Sequence, residues 1–354
     1  MREADAAQSG MMLRMESSSP KTGRRATIVT MSRELGVAPS TISRALKGEG
    51  RISSELRARI AQLAQDYGYT PHASARTMSS GRSGLIGLVL GASYNPFYTE
   101  LLHEAVRQVA LRGMRLLIIH AGPGPIERST ADSLLQYQVD GCLVTSVELP
   151  SYVSSVCSAN GVPVVMVNRV PLLNASAVAC DNLHGSAQLA DVLVHGGCRR
   201  IALIRTSSSS STGQERDAGF TRRLEQAGLR PVLRLDGRST YEGGFEAGAH
   251  IASMPAARRP DAVFAVSDVM AYGVLDALRL GGLRAGQDIA VVGFDGLPQS
   301  ARPIYDLTTV EQPIEAMMGR ALDLLQARMA DDRLIDETVL LRGRLILRGS
   351  SGRP

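Results

Sequence analysis

Polar side chains crowd one short stretch of the chain, PSTISRALK, from Pro39 to Lys47. Hydroxyl and cationic groups at this density can bond to phosphate oxygens and to the edges of DNA bases. Arg44 can bond guanine through two nitrogens at once, which contributes about 1–3 kcal/mol of base discrimination. The polar members are Ser40, Thr41, Ser43, Arg44 and Lys47. The alternative interpretation is a solvated helix with an ordinary surface arginine.

Three short helices are predicted to position this stretch, within residues 26–69. The first covers about residues 28–35, and the second covers about residues 39–46. The third begins after Ser53, a favourable N-cap residue, and runs to Tyr67. Its apolar residues recur at helical spacing and form one stripe. They are Leu56, Ile60, Leu63 and Tyr67.

The turn between the first two helices is typical of a helix-turn-helix. Gly36 permits a tight turn, and Pro39 suits a first helical turn, where the missing N–H is not needed. Val37 and Leu46 are expected to pack the second helix onto the bundle. In this motif the second helix enters the major groove of DNA, and the first braces it.

From residue 84 onward, short apolar runs alternate with helical segments. The runs are LIGLVL, RLLII, GCLVTS, VPVVMV, IALIR, AVFAVS and IAVVGF. This alternation predicts parallel sheets that are covered by helices on both faces. About 270 residues are too many for one open sheet, so we expect two lobes. Ligands bind at the carboxyl ends of such strands, and two facing lobes would form a cleft.

The fold class is therefore α/β, with an all-α domain at the N-terminus. We predict a disordered tail over residues 1–25 and a hinge over residues 70–83 that folds on a partner. The two-lobed α/β domain covers residues 84–350. Its N-lobe is expected at about 84–181 and 313–330, and its C-lobe at about 182–308 and 331–350.

The positive charge lies at the N-terminal end. Residues 1–83 carry 13 Lys and Arg against 7 Asp and Glu, whereas the rest of the chain carries 26 against 27. Such asymmetry favours a nucleic-acid partner for the N-terminal part.

Other classes of protein find little support in the sequence. The four cysteines form no CxxC pair, and the six histidines show no metal-ligand spacing, so we expect free thiols, no metal and no cofactor. We find no catalytic motif, and GGFEAG at Gly243–Gly248 lies in a helical segment. Without a signal peptide or a long apolar run, a cytoplasmic protein with no membrane contact is expected.

Segments along residues 26–350 resemble the LacI family of bacterial transcription regulators in order and spacing. They include TISRAL, YGYTPHASARTMSSGRSGLIGLVL, SYNPFY, VPVVMVNR, CDNLHG, ERDAGF, FAVSDVMAYGVLDAL, DIAVVGFDG and LTTVEQP. The SDVMAYG run followed by VVGFD is specific to this family and its periplasmic sugar-binding relatives. The resemblance implies a two-lobed, periplasmic-binding-protein-like domain of doubly wound parallel sheets behind a helix-turn-helix.

The resemblance also implies a homodimer that reads a pseudo-palindromic operator in double-stranded DNA. It places base-reading roles on Pro39, Ser40 and Arg44, and it adds two hinge residues, His72 and Met78. Met78 stands where the family usually has leucine, and as an apolar side chain it can still wedge into the central minor-groove step. Ala38 replaces the usual N-cap Ser or Thr, at a cost of about 1 kcal/mol.

An effector is expected between the lobes. By the resemblance, Arg216 grips hydroxyls or a carboxylate, and Asp295 is the opposing acceptor. Phe97 and Tyr98 supply an apolar wall. The remaining contacts are Asn168, Ser267, Asp268 and Phe294. This set suits a sugar or sugar derivative, with a purine, a sugar phosphate or a small acid as alternatives.

The expected mechanism is linkage between the two ligands. The effector closes or twists the lobes and changes the spacing of the hinges, which changes the affinity for DNA by about 1–3 kcal/mol. Repression relieved by an inducer is the commoner form in the family, and a corepressor is the alternative. LacI-like tetramers carry a C-terminal heptad helix, which is not seen here, so a dimer is expected.

Overall fold

The computed structural model describes residues 27–69, 82–91, 95–122, 128–145, 152–169, 175–206, 210–331 and 333–352. They form two compact units, which divide between Gly81 and Arg82. The predicted tail over residues 1–25, along with His72 and Met78, lies outside the described residues. No helix of the described ranges is long and apolar enough to cross a membrane.

The small unit is a three-helix bundle, with α1 at Ile28–Leu35, α2 at Pro39–Lys47 and α3 at Ser54–Asp66. These bounds agree with the predicted helices to within one residue. Thr27 and Thr30 form a capping box at the start of α1, and Ser53 Oγ accepts from the Leu56 amide at the start of α3. Each cap satisfies amide groups that have no partner within the helix.

Buried apolar residues of all three helices hold the bundle together. Val37 and Leu46 pack against this core as predicted, and so do the four stripe residues of α3. The fully or nearly buried members are Met31, Ile42, Ala45, Ile60, Ala64 and Tyr69. The tight turn forms at Gly36, which has φ 66°.

Ala38 precedes α2 without any side-chain hydrogen bond to its first turn. We expect Ala38→Ser to stabilise α2 by about 1 kcal/mol, because a serine hydroxyl can accept from a first-turn amide. Native-state hydrogen exchange of the full chain should then show roughly fivefold slower exchange in α2.

The control for this prediction is Ala58→Ser, which places the same side chain on the exposed middle of α3. It should give no protection, since serine has a lower helix propensity than alanine. Equal exchange rates in α2 before and after Ala38→Ser would contradict the prediction.

The N-lobe of the large unit is built on a parallel sheet with strand order β11-β5-β4-β3-β1-β2. Its strands are β1 Leu85–Gly91, β2 Arg115–Ala121, β3 Gly141–Thr145, β4 Val164–Val167, β5 Ser176–Cys180 and β11 Thr338–Leu341. Its helices are α4 Phe97–Leu111, α5 Arg128–Gln136, α6 Tyr152–Ala159 and α11 Ile314–Ala330.

The C-lobe is built on a four-stranded parallel sheet with order β7-β6-β8-β9. These strands are β6 Ile201–Arg205, β7 Leu233–Asp236, β8 Ala262–Ala265 and β9 Ala290–Val292. Its helices are α7 Asn182–His195, α8 Ser211–Gln226, α9 Tyr241–Ser253 and α10 Asp268–Leu280, and two 3₁₀ turns lie at Pro298–Ala301 and Gly349–Ser351. Strands β10 Thr309–Glu311 and β12 Arg344–Ile346 form a separate antiparallel pair. Strand β10 is followed along the chain by α11.

Two predicted boundaries were wrong. Residues 331–350 do not all belong to the C-lobe, because β11 pairs in parallel with β5, with Thr338 opposite Ala177. This strand covers an edge of the N-lobe sheet that would otherwise carry unpaired backbone groups. The large unit also begins before residue 84, since the Ser83 amide donates to Asp140 at 2.8 Å.

The glycines of GGFEAG serve helix packing, because they lie in α9 where it crosses α10. A Cβ on Gly244 would be 2.1 Å from the Met270 carbonyl oxygen. Only glycine permits this close approach of the two backbones.

Candidate functional site

The exposed face of α2 carries the side chains that were predicted to read DNA. Pro39, Ser40, Arg44 and Lys47 are exposed, and the last three are spaced four and three residues apart. Positions at this spacing share one face of a helix. Thr41 and Ser43 are half-buried.

The loop after α2 is held by Arg57 of α3. Its guanidinium donates to the carbonyl oxygens of Gly48 at 3.0 Å and Gly50 at 3.3 Å. These bonds satisfy carbonyl groups beyond the end of α2 and fix how α2 lies on the bundle. A rigid element is what precise recognition of base edges requires.

A buried ion pair lies in the large unit between α8 and the loop after β9. Arg216 Nη1 donates to Asp295 Oδ1 at 2.9 Å, and the side chains are only 5% and 1% exposed. Arg216 also donates to Asn182 Oδ1 at 2.9 Å and to the Val266 carbonyl at 2.8 Å. Its guanidinium lies 3.9 Å from the centre of the Phe294 ring. Each of these contacts stabilises the charged form of a buried arginine.

Asp295 connects both lobes. Its Oδ1 also accepts from Gln312 Nε2 at 2.8 Å, and Gln312 lies where the chain returns to the N-lobe. Its Oδ2 accepts from Asn95 Nδ2 at 2.9 Å, and Asn95 lies between β1 and α4 of the N-lobe. The carboxylate is therefore the point at which the two lobes and a crossover segment meet.

The polar residues around this pair follow strand ends. Asn168 comes directly after β4, and Ser267 follows β8. Carboxyl ends of parallel strands are the usual ligand-binding edge of such sheets. Asn168 Nδ2 donates to Tyr98 Oη at 3.4 Å, which places Tyr98 beside it. The backbone of Asn168 has φ 63° and that of Asp295 has φ 140°, conformations that the surrounding structure must hold in place.

Three buried polar atoms near the pair have no hydrogen-bond partner within the described residues. They are Asn168 Oδ1, Ser267 Oγ and Gln312 Oε1. The three residues are 2%, 6% and 3% exposed. Leaving such groups unpaired is costly, so a site that holds several of them is suited to a polar ligand.

Asp268 is fully buried and bonded to the protein through both carboxylate oxygens. Oδ2 accepts from the Leu297 amide at 2.9 Å and from Ser300 Oγ at 2.7 Å, while Oδ1 accepts from Thr309 Oγ1 at 2.6 Å. Burial and the nearby Asp295 carboxylate raise the pKa of Asp268 to about 6. Asp268 therefore ties α10 to the loop after Asp295, and its contact with the effector stays a prediction.

The two phenylalanines of the predicted effector site are buried, and their contact with the effector stays a prediction. Phe97 is 1% exposed and packs edge-on against Tyr98, with ring centres 5.3 Å apart. Phe294 is fully buried beneath Arg216, against Gly185. The rings shape the site from behind, and Tyr98 is the aromatic residue of the predicted set that remains half-buried.

Sequence reasoning missed Asn95, Asn182 and Gln312. All three lie in the segments SYNPFY, CDNLHG and LTTVEQP that carried the resemblance, so a signal was present. What the sequence lacked was the evidence that these amides converge on Arg216 and Asp295.

A cavity of about 620 Å³ opens against Asp295 and Gln312. Its volume is in the range of small-ligand sites. Its walls are Glu100 of α4, the loop from Asp295 to Pro298 and the segment from Glu311 to Ala316. Among the described residues, no group of histidine, cysteine and carboxylate side chains could hold a metal ion.

The fold and these two sites define a class of protein: a helix-turn-helix domain joined to a two-lobed α/β domain with a polar interlobe site. Comparison with known families agrees. Residues 27–72 match the model described as bacterial regulatory proteins, lacI family. Residues 190–351 match the periplasmic binding protein-like domain.

Individual relatives cover nearly the whole chain. The ribose operon repressor of Escherichia coli K12 is 30% identical over 331 residues, which are 92% of this chain and 100% of the relative. The lac repressor dimer bound to operator and the anti-inducer ONPF has a TM-score of 0.85 at 21% identity, over 93% of this chain and 100% of that one. The CelR–cellobiose complex has a TM-score of 0.67 at 27% identity, over 92% and 100%.

The chain belongs to the lacI family of bacterial regulatory proteins. Its relatives are transcriptional regulators.

Proposed function

We propose that this protein is a homodimeric transcriptional repressor whose affinity for a pseudo-palindromic operator is changed by a sugar-like effector. The observation that carries the proposal is the buried Arg216–Asp295 pair, surrounded by unpaired polar atoms between the lobes. Regulation by effector binding requires no catalysed reaction, so we propose no catalytic activity. We also propose a cytoplasmic location, where the DNA lies.

The DNA-reading role falls on the exposed face of α2. Arg44 is proposed to bond a guanine edge, with Ser40 and Pro39 against neighbouring bases and Lys47 on phosphate. Thr41 and Ser43 are proposed to add polar contacts from the margins of this face. In each half-site, His72 and Met78 of the hinge extend the contact toward the minor groove.

The effector role falls on the interlobe site. Asn168, Ser267 and Gln312 present buried oxygens that sugar hydroxyls can satisfy. Tyr98 is proposed to cover an apolar face of the sugar ring. Two relatives support a sugar effector. One is named ribose operon repressor, and another is solved as a complex with cellobiose.

Closure of the cleft is proposed to couple the two sites. Asp295 receives bonds from Asn95 of the N-lobe and Arg216 of the C-lobe, so a ligand that binds it alters how the lobes approach. In a dimer this changes the spacing of the paired DNA-binding domains. The effector shifts operator affinity only by its preference for one arrangement.

A homodimer is supported by apolar side chains exposed at the end of α10. Leu280 is 79% exposed, and Ile304 nearby is 57% exposed. The Arg279 guanidinium donates to the Ile304 carbonyl, which holds the two segments together. Exposed apolar patches of this kind mark interaction surfaces.

We expect Leu280→Asp to weaken the dimer by at least 100-fold. A two-fold interface contains two copies of Leu280, and each copy loses about 1.5–3 kcal/mol of hydrophobic burial energy. Sedimentation velocity across a dilution series measures the effect. Val232→Asp is the matched control, since Val232 is 56% exposed elsewhere on the lobe. If both variants sediment like the unchanged protein, this surface is not the interface.

Selection of bound duplexes from a random DNA pool tests the DNA half of the proposal. A palindromic motif with a flexible pyrimidine–purine step at its centre is the expected result. Binding without any enriched motif, both alone and with added cell metabolites, would indicate a nonspecific, salt-dominated DNA binder instead.

A further inference from the structure

The effector site is closed to negative charge, and we infer that it takes an uncharged polyhydroxyl compound and rejects sugar phosphates and sugar acids. This inference rests on the proposed effector role of the site. It concerns the charge of the ligand, which membership of the family leaves open.

The positive charge of Arg216 is neutralised within the protein. Arg216 is bonded to Asp295 at 2.9 Å with both side chains buried, and it also donates to Asn182 and to the Val266 carbonyl. An anion that approaches this guanidinium also approaches the Asp295 carboxylate, and the net charge of the pair is zero.

The hydrogen bonds to Asp295 fix the orientation of two amide side chains. The Asp295 carboxylate can only accept, so Gln312 must turn its amide nitrogen toward it and its oxygen away. Gln312 Oε1 is thereby fixed as a buried acceptor without a partner. Asn95 is fixed in the same way, because Nδ2 donates to Asp295 and Oδ1 accepts from the Phe97 amide at 3.0 Å.

The orientation of Gln312 therefore requires a donor from the ligand. A sugar hydroxyl is such a donor, whereas the ionised group of a sugar phosphate or sugar acid offers acceptors alone and therefore cannot lie against Gln312. Ser267 Oγ can adapt to either kind of partner. The Gln312 oxygen cannot adapt unless Gln312 gives up its bond to Asp295.

The adjoining cavity is lined by acidic side chains. The lining includes four carboxylates, from Glu100, Asp295, Glu311 and Glu315, and none of the described residues that line it is basic. Arginines outside the lining pair with three of the four: Arg216 with Asp295, Arg344 with Glu311 and Arg107 with Glu315. A cavity walled by one sign of charge lowers the local concentration of ligands of that sign.

A helix N-terminus at the site does not make the site attractive to anions. Helix α10 begins beside Ser267, and helix N-termini attract anions. Asp268 occupies the first turn of α10, however, and places a carboxylate at that end. The positive pole is therefore already matched by a charge of the protein.

The test is calorimetric titration of the full chain with sugars in matched pairs at constant ionic strength. The pairs are ribose with ribose phosphate, glucose with glucose phosphate and gluconate, and cellobiose with cellobionate. We expect at least one uncharged sugar to bind saturably and its charged counterpart to bind about 100-fold more weakly, because like charges oppose each other across the site. Binding of a charged compound within about tenfold of its neutral counterpart, or failure of every uncharged sugar to bind, overturns the inference.

Charge variants at the cavity supply a second, independent readout. Glu100→Lys is expected to reduce the difference in binding affinity between neutral and charged sugars. Glu225→Lys changes a residue outside the lining and should leave this difference unchanged. The same affinity difference in both variants would contradict the role of the negative charge that lines the cavity.

Failure of the inference and failure of the proposed function give different results. A sugar phosphate that binds and changes affinity for the selected duplex overturns the charge rule and supports the proposed regulator. A chain that selects no DNA motif fails as a regulator, whatever sugars it binds.

Discussion

Replacing Arg216 with methionine lowers the free energy of unfolding of the large unit by about 3–5 kcal/mol and abolishes the response to effector. The loss is large because Asp295 stays buried at 1% exposure without its cationic partner. Arg216→Met also removes the donors that hold Asn182 and the Val266 carbonyl. Urea denaturation followed by circular dichroism measures the stability, and operator titration with and without sugar measures the response.

The double variant Arg216→Met/Asp295→Asn separates charge from packing. Neutralising Asp295 should recover at least half of the lost stability, because the penalty of an isolated buried charge disappears. The response to effector should stay absent, since the hydroxyl-binding pair is gone.

Arg223→Met is the matched control for this prediction. Arg223 pairs with Asp191, but both side chains are more than one third exposed, so the loss should stay below about 1 kcal/mol. Equal destabilisation by Arg216→Met and Arg223→Met would show that the buried pair does not hold the site together.

Arg44→Ala reduces affinity for the selected operator by about 1–3 kcal/mol per half-site and relaxes base preference at one position of each half-site. The physical reason is loss of a two-nitrogen contact that only arginine can make with a guanine edge. Arg44 is exposed on the α2 face, so its removal should leave the bundle folded. Fluorescence anisotropy with duplexes that carry each base substitution measures both effects.

Arg59→Ala removes the same charge from the exposed face of α3. It should weaken binding to all sequences alike, through the nonspecific electrostatic contribution alone. Arg44→Lys keeps the charge and should still lose base preference. Identical base preferences for Arg44→Ala and Arg59→Ala would remove Arg44 from the recognition contact.

Local signals predicted the small unit well. Gly36, Pro39 and Ser53 each mark an end of a helix, so the three helices could be bounded from sequence alone. The apolar spacing of α3 then identified the side that packs. These features act within a few residues of each other, and no distant partner had to be known.

Strands with weaker patterns escaped prediction. Strand β7 is a half-buried edge strand of four residues, and β5 is formed by SAVAC, which is rich in small side chains. The placement of β11 depends on pairing with β5, about 160 residues earlier in the chain. The local periodicity of the sequence cannot predict pairing between strands that are so far apart in the chain.

The site was predicted in part. Family resemblance indicated Arg216 and Asp295, and the structure brings them into one ion pair. It did not show which of these residues are already bonded to the protein, such as Asp268, whose carboxylate accepts three hydrogen bonds. Those bonds join residues that are distant in the sequence, so only the three-dimensional structure shows them.

The central claim is that effector and operator binding are coupled, and it is tested by titrating the selected duplex with the full chain at several concentrations of the sugar found by calorimetry. The account predicts that saturating sugar shifts operator affinity by about 5–150-fold, and that saturating operator shifts sugar affinity by the same factor. An operator affinity that stays unchanged at saturating sugar would contradict it.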